Sequence, residues 1–287
     1  MRRTNISWIQ GAWQGDAEAT QRYYLEQAGN FIGSELDLLV LPELVHTAYF
    51  PVEEHPRHFD CAIPLDHKFV HDWADMARKL SAVVVFPFFE KRAPGVYQNS
   101  ALVFERDGSI VAHYRKSHIP DDPGFYEKYY FMPGDEGFQV VSTSAGRLGL
   151  LICWDQWFPE AARILALQGA ELLIYPTAIG WDVGESPDLY PRQLDAWRTA
   201  MRAHSIANGL FTLAVNRTGD EGPLRFWGNS FLCGPDGFVL HQCDTAVHTA
   251  SCTVDWEEME VQRRSWPFFR DRRIDLYTPI LRRWGNP

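Results

Sequence analysis

Cys153 lies where an apolar run, 149–152, gives way to residues that favour a helix. This pattern predicts a buried strand followed by a helix, with the thiol at the junction. Pro159 and Glu160 suit a first helical turn, where a missing N–H is harmless and a carboxylate interacts favourably with the helix dipole. Exposed N–H groups and some thiolate stabilisation at this junction would suit a nucleophile. The alternative is a structural cysteine, since free cysteines are often buried.

Two other reactive side chains also follow predicted strands. Glu43 comes just after the apolar run 38–42, and Lys116 comes just after a predicted hairpin strand. Ligands of open α/β sheets gather outside such strand ends. A carboxylate that moves protons, a thiol that attacks and an ammonium that stabilises an oxyanion together suit acyl transfer. Taken singly, Glu43 and Lys116 are better explained as a capping or surface acid and a solvated base.

The elements that must position these side chains alternate between strand and helix patterns. Asp-Gly at 107–108 and the turn at 234–237 predict two hairpins, and no Gly/Ser linker or internal repeat divides the chain. The sequence therefore predicts one α/β domain, residues 1–287, with mixed sheets covered by helices. The predicted strands are 6–13, 36–41, 82–88, 99–105, 109–114, 147–153, 171–175, 210–216, 231–233, 238–242 and 249–254, and the predicted helices are 16–30, 69–80, 158–168, 195–208 and 257–264.

Composition excludes several classes of protein. The 287 residues carry a formal net charge of −10, which argues against binding to nucleic acid, because no basic stretch could neutralise phosphates. The longest apolar run, 82–89, contains a proline and is too short to span a membrane. Five cysteines at irregular spacing suggest free thiols in a reducing compartment. We therefore expect a cytoplasmic protein with no membrane or nucleic-acid partner.

Three sequence blocks resemble the signature blocks of the nitrilase (carbon–nitrogen hydrolase) superfamily. They are Leu-Pro-Glu at 41–43, Tyr-Arg-Lys-Ser-His-Ile-Pro at 114–120 and Cys-Trp-Asp-Gln-Trp-Phe-Pro-Glu at 153–160. The resemblance implies a catalytic triad of Glu43, Lys116 and Cys153, with Glu127 positioning the lysine and the N–H of Trp154 binding the oxyanion. It also implies a four-layer α-β-β-α sandwich, no metal or cofactor, and assembly into a homodimer or higher homo-oligomer.

Longer stretches are similar to a branch of that superfamily that hydrolyses N-carbamoyl derivatives of aliphatic diamines. They are 113–121, 153–163, 175–180, 264–266, 269–273 and 275–277. This similarity implies a small cationic N-carbamoyl substrate, whose distal ammonium would bind Asp182 or Glu185. The loop that carries these acids departs from the branch pattern, and Asp122 replaces a usual glycine. Tyr49 and His118 are predicted to line or shape the substrate pocket.

Several other interpretations stay open at this stage. Another branch, such as a β-ureidopropionase-like enzyme or an aliphatic ω-amidase, would want an arginine that binds a carboxylate. A catalytically silent binding subunit would have no need of all three triad residues. His118 could instead serve Cys153 as a papain-like base, and the histidines of segment 55–61 could bind a metal with its cysteine but lack a fourth ligand. The aromatic and arginine residues of the tail, about 256–287, predict a subunit interface.

Overall fold

The computed structural model describes residues 2–285, and in this part of the chain short strands and helices alternate. The helices are α1 (Ala17–Gly29), α2 (Lys68–Leu80), α3 (Pro159–Leu167), α4 (Tyr190–Asn208) and α5 (Glu257–Ser265). The strands are β1 (Arg3–Gln10), β2 (Leu38–Val40), β3 (Val83–Ala93), β4 (Val96–Phe104), β5 (Ile110–Arg115), β6 (Val140–Thr143), β7 (Gly146–Leu150), β8 (Leu172–Thr177), β9 (Gly180–Asp182), β10 (Phe211–Asn216), β11 (Thr218–Glu221), β12 (Leu224–Trp227), β13 (Phe231–Cys233), β14 (Val239–Gln242) and β15 (His248–Asp255).

Two six-stranded sheets form the centre of the molecule. Their strand orders are β15-β1-β2-β3-β4-β5 and β14-β13-β10-β8-β7-β6. Alternate side chains of β1 to β4 face either α1 and α2 or the second sheet, and the other face of that sheet packs against α3 and α4. The predicted α-β-β-α sandwich is thus confirmed. Strands with two covered faces read as near-continuous apolar runs, which explains why most of them were visible in the sequence.

Local signals place the helix ends. Asp16 caps α1 by accepting a hydrogen bond from the N–H of Ala19 at 2.7 Å, and Gly209 ends α4 with a φ of 53°. α4 begins at Tyr190, five residues before the predicted start at Asp195. Pro191 occupies the first turn of α4, where its missing N–H costs nothing, so it begins this helix rather than preventing it.

The clearest structural correction concerns a small third sheet of order β11-β12-β9, which the sequence analysis missed. β9 pairs with β12 through Asp182 and Leu224, so Asp182 lies on a strand and not in the loop to which the sequence analysis assigned it. The strand before the nucleophile also stops at Leu150, earlier than predicted. Within the described chain, no helix is long and apolar enough to cross a membrane, and no group of three or more acidic, His or Cys residues could hold a metal ion.

Candidate active site

Glu43 is carried by the loop that leaves β2 and runs alongside β3. The N–H of Leu41 donates to Val85 O at 3.3 Å, and the N–H of Val45 donates to Pro87 O at 3.3 Å. Leu44 adopts a φ of 50°, a left-handed conformation that turns the chain directly after the glutamate. The loop is therefore fixed on both sides of Glu43, whose side chain is fully buried.

Lys116 follows the last residue of β5 and is held through its own backbone. Its N–H donates to Asn99 O at 2.9 Å, and its carbonyl accepts from Gly134 N at 2.8 Å. A Cβ at position 134 would lie 2.2 Å from Arg115 O, so only glycine allows this close approach. The backbone on both sides of Lys116 is thus held by hydrogen bonds that do not involve its side chain.

Cys153 follows β7 and opens a short 3-10 segment, Cys153–Trp157, that precedes α3. It has a φ of 42°, and its Sγ lies 3.9 Å from Ala178 O, just past the end of β8. A left-handed residue other than glycine is strained, and such strain recurs at functional sites. The turn holds the thiol between the ends of two parallel strands.

The ammonium of Lys116 lies between two buried carboxylates. Its Nζ is 2.8 Å from Glu43 Oε1 and 2.6 Å from Glu127 Oε2. Burial alone would lower the pKa of Lys116, but the charges of Glu127 and Glu43 raise it above its ordinary value. Burial raises the pKa of Glu127, and the neighbouring Glu43 acts in the same direction. One fixed positive charge therefore holds two acids at the floor of the site.

The environment of Cys153 corrects the expectation of a stabilised thiolate. Burial first, and then the charge of Glu43, raise the pKa of the thiol well above its usual value, although Lys116 acts in the opposite direction. The 3-10 segment also separates the thiol from the first turn of α3, which weakens any effect of that helix dipole. A thiol held neutral in this way needs a base at the moment of attack, and Glu43 is the adjacent carboxylate.

A cavity of about 280 Å³ opens onto Cys153. Trp154, Asp182 and Glu185 line it, as do Asp122 and Glu127. Asp182 Oδ1 accepts from Gly184 N, and Glu185 Oε2 accepts from Gln193 Nε2, both at 2.7 Å. The second carboxylate oxygen of Asp182 and that of Glu185 accept no hydrogen bond from the described residues. The structure thus brings these predicted substrate-binding acids to one cavity beside the thiol.

Tyr49 and His118 do not line that cavity. The hydroxyl of Tyr49 donates to Glu127 Oε1 at 2.7 Å, behind the lysine. The ring of His118 stacks on Phe158 with a centroid separation of 3.7 Å, and its Nδ1 lies 2.7 Å from Asp155 Oδ1. Tyr49 and His118 therefore hold the side chains of Glu127 and Asp155 in place, and neither lies where the sequence analysis predicted, in the wall of the substrate cavity. His118 pairs with Asp155, which leaves the papain-like alternative without a contact between His118 and the thiol.

Two buried polar residues at the site escaped the sequence analysis. Asp155 accepts from the N–H groups of Ile152 and His118, both at 2.9 Å, and from Tyr114 Oη at 2.7 Å, so it joins the thiol loop to the lysine loop. Asn99 Nδ2 donates to Glu43 Oε1 at 2.6 Å. A signal existed for Asn99, since the polar residues 98–100 lie in the buried part of a strand whose other residues are apolar or aromatic.

Two helix-covered sheets that enclose a buried carboxylate, an ammonium and a thiol define the nitrilase class of hydrolases. The family model for carbon–nitrogen hydrolase matches residues 6–264, and the chain belongs to that family. It is therefore a hydrolase that acts on carbon–nitrogen bonds.

Similar proteins cover nearly the whole chain. The N-carbamoylputrescine amidase of Arabidopsis thaliana is 41% identical over 87% of this chain and 86% of its own. The citrullinase of Francisella tularensis is 40% identical over 86% of this chain and 87% of its own. A crystal structure of a carbon–nitrogen hydrolase from Helicobacter pylori superposes with a TM-score of 0.96 at 44% identity, covering 99% of this chain and all of that one.

Proposed function

We propose that the protein hydrolyses N-carbamoylputrescine to putrescine, carbon dioxide and ammonia. The observation that carries this choice is the cavity at Cys153, where Asp122, Asp182 and Glu185 face the substrate space. Among the residues described, no lysine or arginine lines that cavity. A buried ammonium needs a carboxylate, whereas a buried carboxylate would need a cation. The relatives named N-carbamoylputrescine amidase support the same substrate.

In the proposed mechanism, Cys153 attacks the carbamoyl carbon while Glu43 takes the thiol proton. The negative charge that develops on oxygen is stabilised by Lys116 and the N–H of Trp154. Glu43 then returns the proton to the departing nitrogen, which gives a carbamoyl thioester. Water attacks the thioester by the same route in reverse, and the carbamate released loses carbon dioxide. Glu127 holds the lysine in place, and no cofactor is required by these steps.

The competing activities differ in the charge at the far end of the substrate. N-carbamoyl-β-alanine and ω-amide substrates end in a carboxylate, which the acids of this cavity would repel, whereas citrulline carries a carboxylate beside an ammonium and putrescine derivatives carry the ammonium alone. The test is ammonia release with N-carbamoylputrescine, citrulline, N-carbamoyl-β-alanine, neutral N-carbamoylbutylamine and an ω-amide. We expect the highest kcat/KM for the cationic substrate. A preference for a carboxylate substrate would reject this proposal, and no turnover of any of them would favour the silent binding subunit.

The acid that binds the distal ammonium is proposed to be Asp182. It is half-buried on a strand, whereas Glu185 is exposed on the following turn. Asp182→Asn keeps an oxygen to accept from Gly184 N but removes the charge, so we expect KM for N-carbamoylputrescine to rise by roughly ten- to a hundredfold. Steady-state kinetics provide the measurement, and Glu185→Gln should change KM much less because its charge is solvated.

Neutral N-carbamoylbutylamine and the Asp188→Asn variant, an exposed acid nearby, are the matched controls. KM for the neutral substrate should stay within about threefold in every variant, since no charge pair is lost. An equal rise in KM for the neutral and the cationic substrate in Asp182→Asn would mean that Asp182 shapes the cavity but does not bind the ammonium.

We also propose that the chain forms a homodimer or a larger homo-oligomer through its C-terminal tail. Trp256 belongs to the core, where its Nε1 donates to Thr4 Oγ1 at 2.7 Å, so the proposed surface begins after α5. The last two residues of the predicted 256–287 segment lie outside the described residues. Exposed large apolar side chains follow α5, and an exposed patch of this kind supports an interface; they are Trp266, Phe268, Ile274, Leu276, Tyr277, Ile280, Leu281 and Trp284.

Light scattering at micromolar concentration should therefore give a multiple of the 33.0 kDa chain mass. Leu276→Glu together with Ile280→Glu should shift the mass toward one chain, because charges at an apolar interface are costly. Ile32→Glu, at an exposed apolar site far from the tail in sequence, is the control and should keep the assembly. A wild-type mass of one chain would contradict the proposal.

A cytoplasmic location is proposed on the state of the cysteines. All five lie in the described part of the chain and are free thiols. Unpaired thiols persist in reducing compartments. Fractionation of the native host, with a cytoplasmic marker alongside, tests this location.

A further inference from the structure

The two oxygens of the Glu43 carboxylate are in different environments. Oε1 accepts from Asn99 Nδ2 at 2.6 Å and from Lys116 Nζ at 2.8 Å. Oε2 is buried, and none of residues 2–285 donates a hydrogen bond to it. We infer that Oε2 is the atom of Glu43 that exchanges a proton with Cys153. Asn99 is a positioning residue, because its hydrogen bond to Oε1 orients the carboxylate and leaves Oε2 free to accept that proton.

The unequal hydrogen bonding of the two Glu43 oxygens supports this assignment. Two strong donors use the accepting capacity of Oε1, so this oxygen is a poor base toward a third group. A buried acceptor without a donor costs free energy, which an arriving thiol proton would recover. The proton then passes from Sγ to Oε2 as the S–C bond forms, and from Oε2 to the leaving nitrogen as the C–N bond breaks.

Asn99 is anchored well enough to fix the carboxylate. It lies in β4, where it pairs with Phe89 of β3, and it is fully buried. Its carbonyl accepts from the N–H of Lys116 at 2.9 Å, while its side chain reaches Glu43. One residue therefore sets the position of both charged members of the triad. An amide also adds a donor without a second positive charge, so Glu43 is oriented but stays able to accept a proton.

This inference rests on the proposed role of Glu43 in amide hydrolysis and predicts a change in pH dependence. Hydrogen bonds to a charged carboxylate stabilise that form, so Asn99→Ala removes one donor that stabilises the charged, proton-accepting form of the triad acid. In Asn99→Ala the acid limb of the kcat/KM profile should move up by about one pH unit. kcat should fall on the order of ten- to a hundredfold, while KM changes by less than about threefold.

Gln98→Ala is the matched control. Gln98 directly precedes Asn99 in β4 and is equally buried, but its Nε2 donates to Pro133 O at 3.4 Å and not to the triad. Both substitutions remove a buried amide, so both should lower the melting temperature. The acid limb should move only in Asn99→Ala. An unchanged limb in Asn99→Ala, or an equal shift in Gln98→Ala, overturns the inference.

A second readout separates this inference from the substrate proposal. Alkylation of Cys153 by iodoacetamide, followed by peptide mapping, needs base assistance from Glu43 but no natural substrate. The pH profile of alkylation should shift in Asn99→Ala as the kinetic profile does. If no N-carbamoyl substrate is turned over yet the alkylation profile shifts, the proposed function fails and the role of Asn99 stands. If turnover is normal and neither profile shifts, only the inference fails.

Discussion

Cys153→Ala is expected to abolish turnover while the fold is preserved. Without the thiol no covalent intermediate can form, and general-base action of Glu43 on water alone supplies only about 10²–10⁴-fold over the uncatalysed rate. The side chain packs at the edge of the core and makes one long hydrogen bond, at 3.9 Å to Ala178 O, so its loss should cost about 1 kcal/mol of stability. Steady-state ammonia release and thermal unfolding of the same preparation measure both effects.

Cys233→Ala provides the matched control, because Cys233 is also buried and its thiol pKa is raised to about 11 by burial. It lies in β13, away from the triad, so this variant should lose stability but retain its kcat. Cys153→Ser should be nearly as inactive as the alanine variant, since a hydroxyl is a far weaker nucleophile. More than about a hundredth of wild-type activity in Cys153→Ala would contradict the thiol mechanism.

Lys116→Ala is expected to lose on the order of 10²–10³ or more in kcat, as happens when a charge that stabilises an oxyanion is removed. It also leaves Glu43 and Glu127 buried together without a cation, which should cost about 3–5 kcal/mol of stability. Stability is measured by urea unfolding, and kcat is measured without urea under conditions in which both the wild type and Lys116→Ala are folded. The kinetic loss is then separated from the loss of folded protein.

Lys116→Arg tests the geometry at constant charge. A planar guanidinium cannot replace a compact ammonium between Glu43 Oε1 and Glu127 Oε2, so this variant should also be strongly impaired. Lys128→Ala removes an exposed lysine close in sequence and should leave kcat unchanged within about twofold. Near-normal turnover in both Lys116 variants would mean that the lysine has only a structural role.

Local patterns in the sequence were sufficient to predict one α/β domain with mixed sheets covered by helices, because strands buried on both faces leave apolar runs and helices leave caps and periodic stripes. The four-layer α-β-β-α arrangement was predicted from the resemblance to the nitrilase superfamily, not from these patterns. Local patterns also placed Glu43, Lys116 and Cys153 just past strand ends, which is a property of local sequence. Their mutual distances were not accessible in this way. Glu43 and Lys116 are 73 positions apart, and the ion pair between them exists only because β2, β3, β4 and β5 align side by side.

Only the tertiary structure decided which polar groups share one environment. Asn99 meets Glu43 across 56 positions, and Asp155 meets His118 across 37. The same holds for Asp182, which belongs to a strand because β12 offers it a partner more than 40 residues later. Local patterning reports how much of each side chain is buried. Sheet register and the contacts between distant loops determine the hydrogen-bond partner of each buried polar atom. Those partners in turn determine the protonation and the orientation of each side chain at the site.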